Sequence, residues 1–464
     1  MSEYISSIAR GVGTPELFLL ILGGLFFLFY SRFVQYRYFL HAIQILRGKY
    51  DRADAPGQLS AYEALSTALA STVGMGNIAG VATAISIGGP GALFWMWVTA
   101  FVGMSTNFFT SALAVMYRGK DSEGNLQGGP MYVIREALGK KWMPLAALFS
   151  FCCMIGCLPI FQANQLTQII VDIGITNPEF KADTVQILGM EINTPKLLIG
   201  TFLMVLSGIV IIGGIQRIGS WAGKMVPLMI VVYFVSVLVI LLVNYESVPH
   251  YFMMIITDAF AADHYRGSPA LGGLLGGLIV TGVQRASFSN EAGIGTAPLA
   301  LGASKSTEPI REGLVSMLSP AIDTLLVCTL TALAILVTGA WENPELKGVT
   351  LTALAFRESL GTTGTYLLLI SAFFFAVTSL FSYSYYGNKS ISFLTSVKFG
   401  KWYDYFYLST IVVGSVVSMQ VVTDIIDIAY ALMAIPTMVS GFVLAPKVME
   451  EAKKYFKKLR EGNL

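Results

Sequence analysis

Long apolar runs recur along this chain, separated by short polar stretches. Each run is long enough for a helix, rising 1.5 Å per residue, to cross a hydrocarbon layer of about 30 Å. Eleven spans are predicted, at approximately 14–32, 62–87, 91–117, 142–171, 197–214, 222–243, 270–302, 313–338, 364–390, 404–420 and 424–446. A short apolar stretch near 350–360 is predicted to lie along an outer surface. Two spans break the pattern. Span 2 contains Ser71-Thr72-Val73-Gly74-Met75-Gly76-Asn77-Ile78-Ala79-Gly80, and span 7 runs from Thr281-Gly282 through Arg285, Phe288 and Glu291 to Gly295. Both are too rich in glycine and polar groups for a helix facing lipid. Backbone leaves the helix at membrane depth only where protein or a wet cavity satisfies its N–H and C=O groups.

The position of the two breaks suggests an architecture. With span 1 set aside, spans 2–6 and 7–11 form two groups of five. Five is odd, so the second group enters from the opposite face, and each group opens with its broken member. That is the logic of an inverted repeat with a binding site between the breaks near the midplane. The chain divides accordingly into an N-terminal helix and basic linker (1–60), a first repeat (61–246), a second repeat (247–446) and a basic tail (447–464).

Composition agrees with a polytopic all-α membrane protein. Charged residues make up 12% and hydrophobic residues 55%, against about 25% charged in soluble domains. The net charge of +2 excludes no partner by itself, and nothing in its distribution points to nucleic acid. Lysines and arginines follow spans 1, 3 and 9 and fill the tail, which puts those loops and the C-terminus in the cytoplasm and the N-terminus outside, in a plasma (inner) membrane. The first span lacks a basic leader and a small-residue cleavage site and is predicted to be retained. Cys152, Cys153, Cys157 and Cys328 lie in apolar runs without metal-ligand spacing and read as small core residues. The three histidines fall outside the spans, which argues against a histidine proton relay.

Unwinding at Gly74 and Gly76 frees carbonyls on one half-helix and amides on the other. Carbonyls suit a cation, and amides at a helix start suit a carboxylate. Thr72 and Asn77 add hard oxygens of the kind sodium prefers. Glycines that merely let helices pack closely are the alternative. In span 7, Arg285 and Glu291 are charges at depth; they form either a gate or a static pair holding the break. The backbone of Thr281 and Gly282 is the candidate substrate contact there, and Phe288 either walls a pocket or is plain core. Span 9 carries Phe375, Thr378 and Ser379, whose hydroxyls either return to their own helix or donate to an ion held against span 2. Gln162, Asn164 and Gln165 in span 4 either bond between helices or line the pocket. Asp323, in span 8, reads as a proton carrier or as a capped structural carboxylate. No zinc motif, phosphate loop or nucleophile with its base appears, so an enzyme is not expected. No ring of charges suggests a channel.

At these motifs the sequence resembles the alanine or glycine:cation symporter family, sodium-coupled carriers of small amino acids. The stretches Thr72–Ala82, Arg285–Gly295 and Ser382–Gly387 carry the resemblance, supported by Gln162-Ala163-Asn164 and Asp323-Thr324. It implies a LeuT-type five-plus-five fold with one added N-terminal helix. By a more distant resemblance to LeuT-type sodium symporters, Thr72 and Asn77 match a substrate-adjacent sodium site. The carbonyls of Ala70 and Val73, with Thr378, Ser379 and the Phe375 carbonyl, match a second. The amides of Met75 and Gly76 match the carboxylate contact; the Thr72 carbonyl, with Thr281 and Gly282, matches the ammonium contact. The function implied is sodium-coupled symport of alanine or glycine by alternating access. A proton-coupled amino-acid permease using Asp323 or Glu291 is the alternative, and a channel or receptor is a more remote one.

Overall fold

The computed structural model describes residues 2–462 except 51–54, 176, 188–189, 262–276, 344 and 418. After α1 (Ser2–Tyr30) and the short α2 (Phe39–Leu46), span 2 begins at a capping box. The Ser60 hydroxyl accepts from Glu63 N–H while the Glu63 carboxylate accepts from Ser60 N–H, which fixes the start of α3 (Ala61–Thr72). The chain then unwinds over Val73–Met75, forms a π-turn at Gly76–Gly80 and continues as α4 (Val81–Gly88), 46° from α3. Next come α5 (Ala92–Met116), α6 (Met143–Gly156), α7 (Ile160–Ile169), α8 (Thr194–Ile211), α9 (Gly214–Val243) and α10 (Val248–Asp258). Two small antiparallel hairpins, β1–β2 (Gly119–Lys120 with Leu126–Gln127) and β3–β4 (Thr184–Ile187 with Met190–Asn193), lie in the connections.

Span 7 is observed from α11 (Gly277–Asn290) through an irregular turn to α12 (Ala297–Leu301); residues 270–276 of the predicted span lie outside the described residues. Span 8 joins α13 (Pro309–Ser316) to α14 (Thr329–Val337) through a π-helical segment, Ala321–Cys328. The chain ends in α15 (Val349–Leu394), α16 (Val397–Val416) and α17 (Met419–Glu461). Among the described residues, eight helices are long and apolar enough to cross a membrane, and the bent pair α3–α4 makes nine. α16 carries Lys398, Lys401 and Asp404 in its first half, which lowers its apolar character without shortening it.

The structure adds to two of the sequence readings. The stretch near 350–360 is the first arm of α15, set off by a turn at Gly361 (φ 59°, ψ −144°); Leu351, Ala355 and Phe356 are buried on one face while Arg357 and Glu358 are exposed. The basic tail is helical: α17 runs unbroken to Glu461 and docks on α2. Tyr455 bonds His41 at 2.8 Å, and Phe456 stacks on Tyr38 at 3.8 Å.

Packing separates the molecule into neighbourhoods. α5 packs along α11 and α13, and α12 packs on α3. α15 packs on α9 and α3 as well as on α6, α7 and α16, and α8 on α16. α1 lies against α5 and α17, where Phe27 stacks on Phe109 and Phe442 at 4.7 and 5.2 Å. The two broken segments face each other between these neighbourhoods.

Candidate functional site

The break in span 2 is built from side chains that replace lost helix bonds. Val73 donates to Leu69 O at 2.7 Å, and its ψ of 83° then turns the chain out of the helix. The next two amides have no helical acceptor. Gly74 N–H donates to Asn77 Oδ1 at 2.8 Å and Met75 N–H to Gln162 Oε1 at 2.9 Å. The hydroxyl of Thr352, on the first arm of α15, donates to Ile78 O at 3.1 Å and satisfies the π-turn from the other side. Buried amides left unpaired are costly, so these side chains hold the unwound form. Gly74 is required by space: a Cβ there would fall inside van der Waals contact with Ser379 Oγ and 3.2 Å from both amide atoms of Gln162.

In span 7 the helix holds through Thr281 and Gly282 and opens later, at Glu291–Thr296. Thr281 and Gly282 pack instead on Gly88 and on Ala92 and Trp95 of α5, away from the unwound backbone. Glu291 has φ 53°, a left-handed conformation that a non-glycine residue adopts only when its surroundings compel it, and Gly293 and Gly295 follow at 88° and 107°. What compels it is hydroxyl chemistry. The Glu291 carboxylate accepts from Tyr383 Oη at 2.5 Å and Tyr430 Oη at 3.1 Å, while Thr437 Oγ1 donates to Ile294 O at 2.9 Å. The turn is thus pinned to α15 and α17.

The π-turn after the first break packs on the last turn of α11, just before the second. A Cβ on Gly76 would sit 3.5 Å from Phe288 Cδ1 and 3.6 Å from Ser289 Cα, which is ordinary contact. Asp323 joins them from span 8. Its Oδ1 accepts from Asn77 Nδ2 at 2.7 Å, and its Oδ2 from Ser289 Oγ at 2.8 Å and Thr324 Oγ1 at 2.7 Å. Asn290 Nδ2 donates to Thr324 Oγ1 at 3.0 Å, extending the network into the span 7 turn. Asp323 and Glu291 are both fully buried, and among the described residues neither forms an ion pair with a basic side chain. Hydroxyl, amide, carbonyl and carboxylate oxygens gather here, the hard donors that suit an alkali cation, beside the Cys328 thiol at 3.2–3.3 Å from Ser289 and Asn77.

Arg285 and Glu291 are not partners. Arg285 Nη2 bonds Asp427 Oδ2 of α17 at 2.6 Å, and its guanidinium lies 5.3 Å from the Phe288 ring centre. Phe288 packs edge-on against Phe161 at 4.6 Å and near Tyr430 at 6.1 Å. An ion pair, a cation–π contact and an aromatic pair are therefore layered over the place where the breaks meet.

On α15, Ser379 faces Gly74 while its hydroxyl returns to Phe375 O at 2.9 Å; Thr378 Oγ1 donates to Phe374 O at 2.8 Å and lies 3.5 Å from Met229 Sδ. Thr72 Oγ1 is 3.3 Å from Ala68 O. Ala70, Val73 and Phe375 are buried around the same junction. Of the three span 4 amides, Gln162 bonds the break directly. Asn164 Nδ2 bonds Gly414 O and Val417 O at 3.1 and 2.7 Å, and Gln165 Nε2 lies 3.3 Å from Asn164 Oδ1. Sequence reasoning passed over Tyr383, Tyr430, Asp427, Ser289 and Thr352. One signal was present: Ser379, Tyr383 and Tyr386 sit at i, i+4 and i+7, one face of one helix.

Comparisons with known proteins agree with this geometry. A profile of the Sodium:alanine symporter family matches residues 1–464. The chain is 35% identical over 457 residues to the "Sodium/alanine symporter AgcS" of Methanococcus maripaludis, covering 97% of this chain and 96% of that protein. It is 38% identical over 457 residues to an uncharacterized transporter of Haemophilus influenzae, covering 97% and 94%. It is 33% identical over 466 residues to the "Probable sodium/glutamine symporter GlnT" of Bacillus subtilis, covering 99% and 92%. Its fold is similar to the crystal structure of MhsT in complex with L-phenylalanine, a LeuT-fold transporter, at TM-score 0.59 and 14% identity over 86% of this chain and 93% of that one. The chain therefore belongs to the Sodium:alanine symporter family, as a multi-pass membrane protein of LeuT fold for sodium-coupled amino-acid transport rather than an enzyme.

Proposed function

We propose that this protein carries alanine or glycine into the cell together with sodium, by alternating access, with its N-terminus outside and its C-terminus in the cytoplasm of the plasma (inner) membrane. The observation that supports the reading is that the π-turn following the span 2 break packs on the last turn of α11, just before the span 7 break, with Asp323 bonding both through Asn77 and Ser289. The Gly76 amide, and the Met75 amide once Gln162 Oε1 gives way to substrate, offer donors to a substrate carboxylate, and the Thr72 carbonyl offers an acceptor to its ammonium group. The family to which the chain belongs supports a substrate with a side chain of one carbon or none. The alanine named for the relative from M. maripaludis points the same way.

Sodium fits two places. One lies among the carbonyls of Ala70, Val73 and Phe375 and the hydroxyls of Thr378 and Ser379. The other lies by Thr72 and Asn77, and there Asp323 supplies a negative charge that the span 2 motif lacks. A carboxylate buried without a basic partner favours the entry of a cation. Ions in these places stabilise the unwound span 2 that holds substrate, so sodium and amino acid each raise the other's affinity by the same factor. Arg285–Asp427 over Phe288 closes the outer side. The repeats 61–246 and 247–446 supply the two opposed breaks.

The test is uptake of labelled alanine and glycine in proteoliposomes, with an inward sodium gradient imposed and then removed. Accumulation that needs the gradient supports the reading. Accumulation driven by a pH gradient alone, without sodium, would transfer the cation role of Asp323 or Glu291 to a proton.

A further inference from the structure

Lys389 is a buried lysine on α15, 3% exposed, that the site described above does not use. It lies ten residues beyond Ser379, or about 15 Å along the helix, toward the face that carries the docked tail. Among the described residues it has no carboxylate partner. Its ammonium donates to Leu299 O at 3.0 Å and to Tyr385 Oη at 3.0 Å. Leu299 belongs to α12, the half of span 7 beyond the break. There Gly302 N–H and Ala303 N–H turn to Pro298 O and Ala300 O, so the intervening Leu299 carbonyl is left for the lysine.

A second cation holds the same end of span 7, with a different reach. Arg118, just past α5, donates to Gly302 O at 2.9 Å, Ser306 O at 2.9 Å, Ser304 O at 2.6 Å and Pro56 O at 3.2 Å. Leu59 and Ser304 add a backbone bridge. Spans 2, 3 and 7 are thereby sewn together at this face by several bonds within one neighbourhood. On this face Lys389 joins α15 to α12 by a single carbonyl contact, while further along α15 Tyr383 meets Glu291 of span 7 and Tyr386 meets Ser71 of α3. If α12 and α15 part at this face, the Arg118 set stays with spans 2, 3 and 7 and the Lys389 contact breaks.

We infer that Lys389 is a clasp residue that holds the α12 half of span 7 against α15 while the pathway is shut on this face, and releases Leu299 when the pathway opens there. The inference rests on the alternating-access reading. Its test needs neither sodium nor substrate, so it can fail or succeed independently of the coupling ion.

The experiment is hydrogen–deuterium exchange of the full-length protein in lipid nanodiscs, without sodium, followed at peptides covering 297–303 and 194–211. Lys389→Met should raise exchange at 297–303 at least threefold and leave 194–211 unchanged, while Lys389→Arg, which keeps a donor, should stay near the parent rate. If Lys389→Met does not fold, Lys389→Gln carries the same comparison at an intermediate rate. Parent-like exchange at 297–303 in the Met or Gln variant would overturn the inference, as would equal acceleration in Lys389→Arg.

Discussion

Gly74→Ala tests the junction of spans 2 and 9 most directly. The added methyl would enter the space of Ser379 Oγ and press on the Gln162 amide from 3.2 Å. Gln162 cannot retreat freely, because its Oε1 accepts from Met75 N–H. Ser379 is tied to Phe375 O. Overpacking of a tight contact of this kind costs about 1–3 kcal/mol. If that strain falls on the sodium-bound arrangement, at 1.4 kcal/mol per tenfold it weakens sodium about 5- to 150-fold. The assay is initial alanine uptake in proteoliposomes as a function of external sodium, with thermal unfolding of the same preparations as the control. Gly74→Ala should shift half-activation by sodium upward by at least fivefold and lower the unfolding temperature. Gly74→Ala/Ser379→Ala should unfold like Ser379→Ala alone, since the methyl then has room, while sodium activation stays weak because the hydroxyl is gone. Parent-like sodium activation in Gly74→Ala, or a double variant no more stable than Gly74→Ala alone, would refute the packing argument.

Asp323→Asn keeps the shape but removes the charge, and its amide N–H₂ must face the donors Ser289 and Thr324 or Asn77; an uptake series over sodium concentration should show at least a tenfold loss of sodium sensitivity, and unchanged activation would exclude Asp323 from the cation site. Thr378→Ala and Asn77→Ala should each weaken sodium activation more than they lower membrane abundance, measured by uptake alongside immunoblotting. Asp427→Asn breaks the ion pair over Phe288 and should speed solvent exchange at the peptide containing Arg285 by several-fold, while Asn164→Ala, whose bonds go to α16, should leave it unchanged. His41, in the short α2 outside the spans, has its pKa held below the usual 6.5, first by burial and then by the charges of Arg311 and Lys49, against a hydrogen bond to Gln44. The docked state thus prefers neutral imidazole, and docking of residues 447–461 is fully present above about pH 6.5 and loosens as pH falls below it; lower protection of that helix at pH 5.5 than at 7.5, each exchange rate taken relative to the free-peptide rate at the same pH and the difference abolished in His41→Gln, is the expected result.

The sequence alone determined that the chain crosses a membrane many times and that two crossings come apart. Hydropathy and glycine content are local properties, and the absence of water at depth makes a polar, glycine-rich stretch an instruction to find partners. It also marked Gln162, Gly74 and Ser379 as relevant, because amides, glycines and hydroxyls in apolar frames announce themselves. It could not say which partners are found. Arg285 and Glu291 lie six residues apart, yet one pairs with Asp427 and the other with Tyr383 and Tyr430, residues 92–142 positions away along the chain. Span 7 opens at Glu291 and not at Thr281 because tyrosines from α15 and α17 hold the left-handed turn, a condition written in other segments. Asp323 became the bridge between the breaks only when a third span was packed beside them. Periodicity fixes which face a side chain occupies on its own helix; which helix it meets is settled by long-range packing, and there the tertiary structure decided.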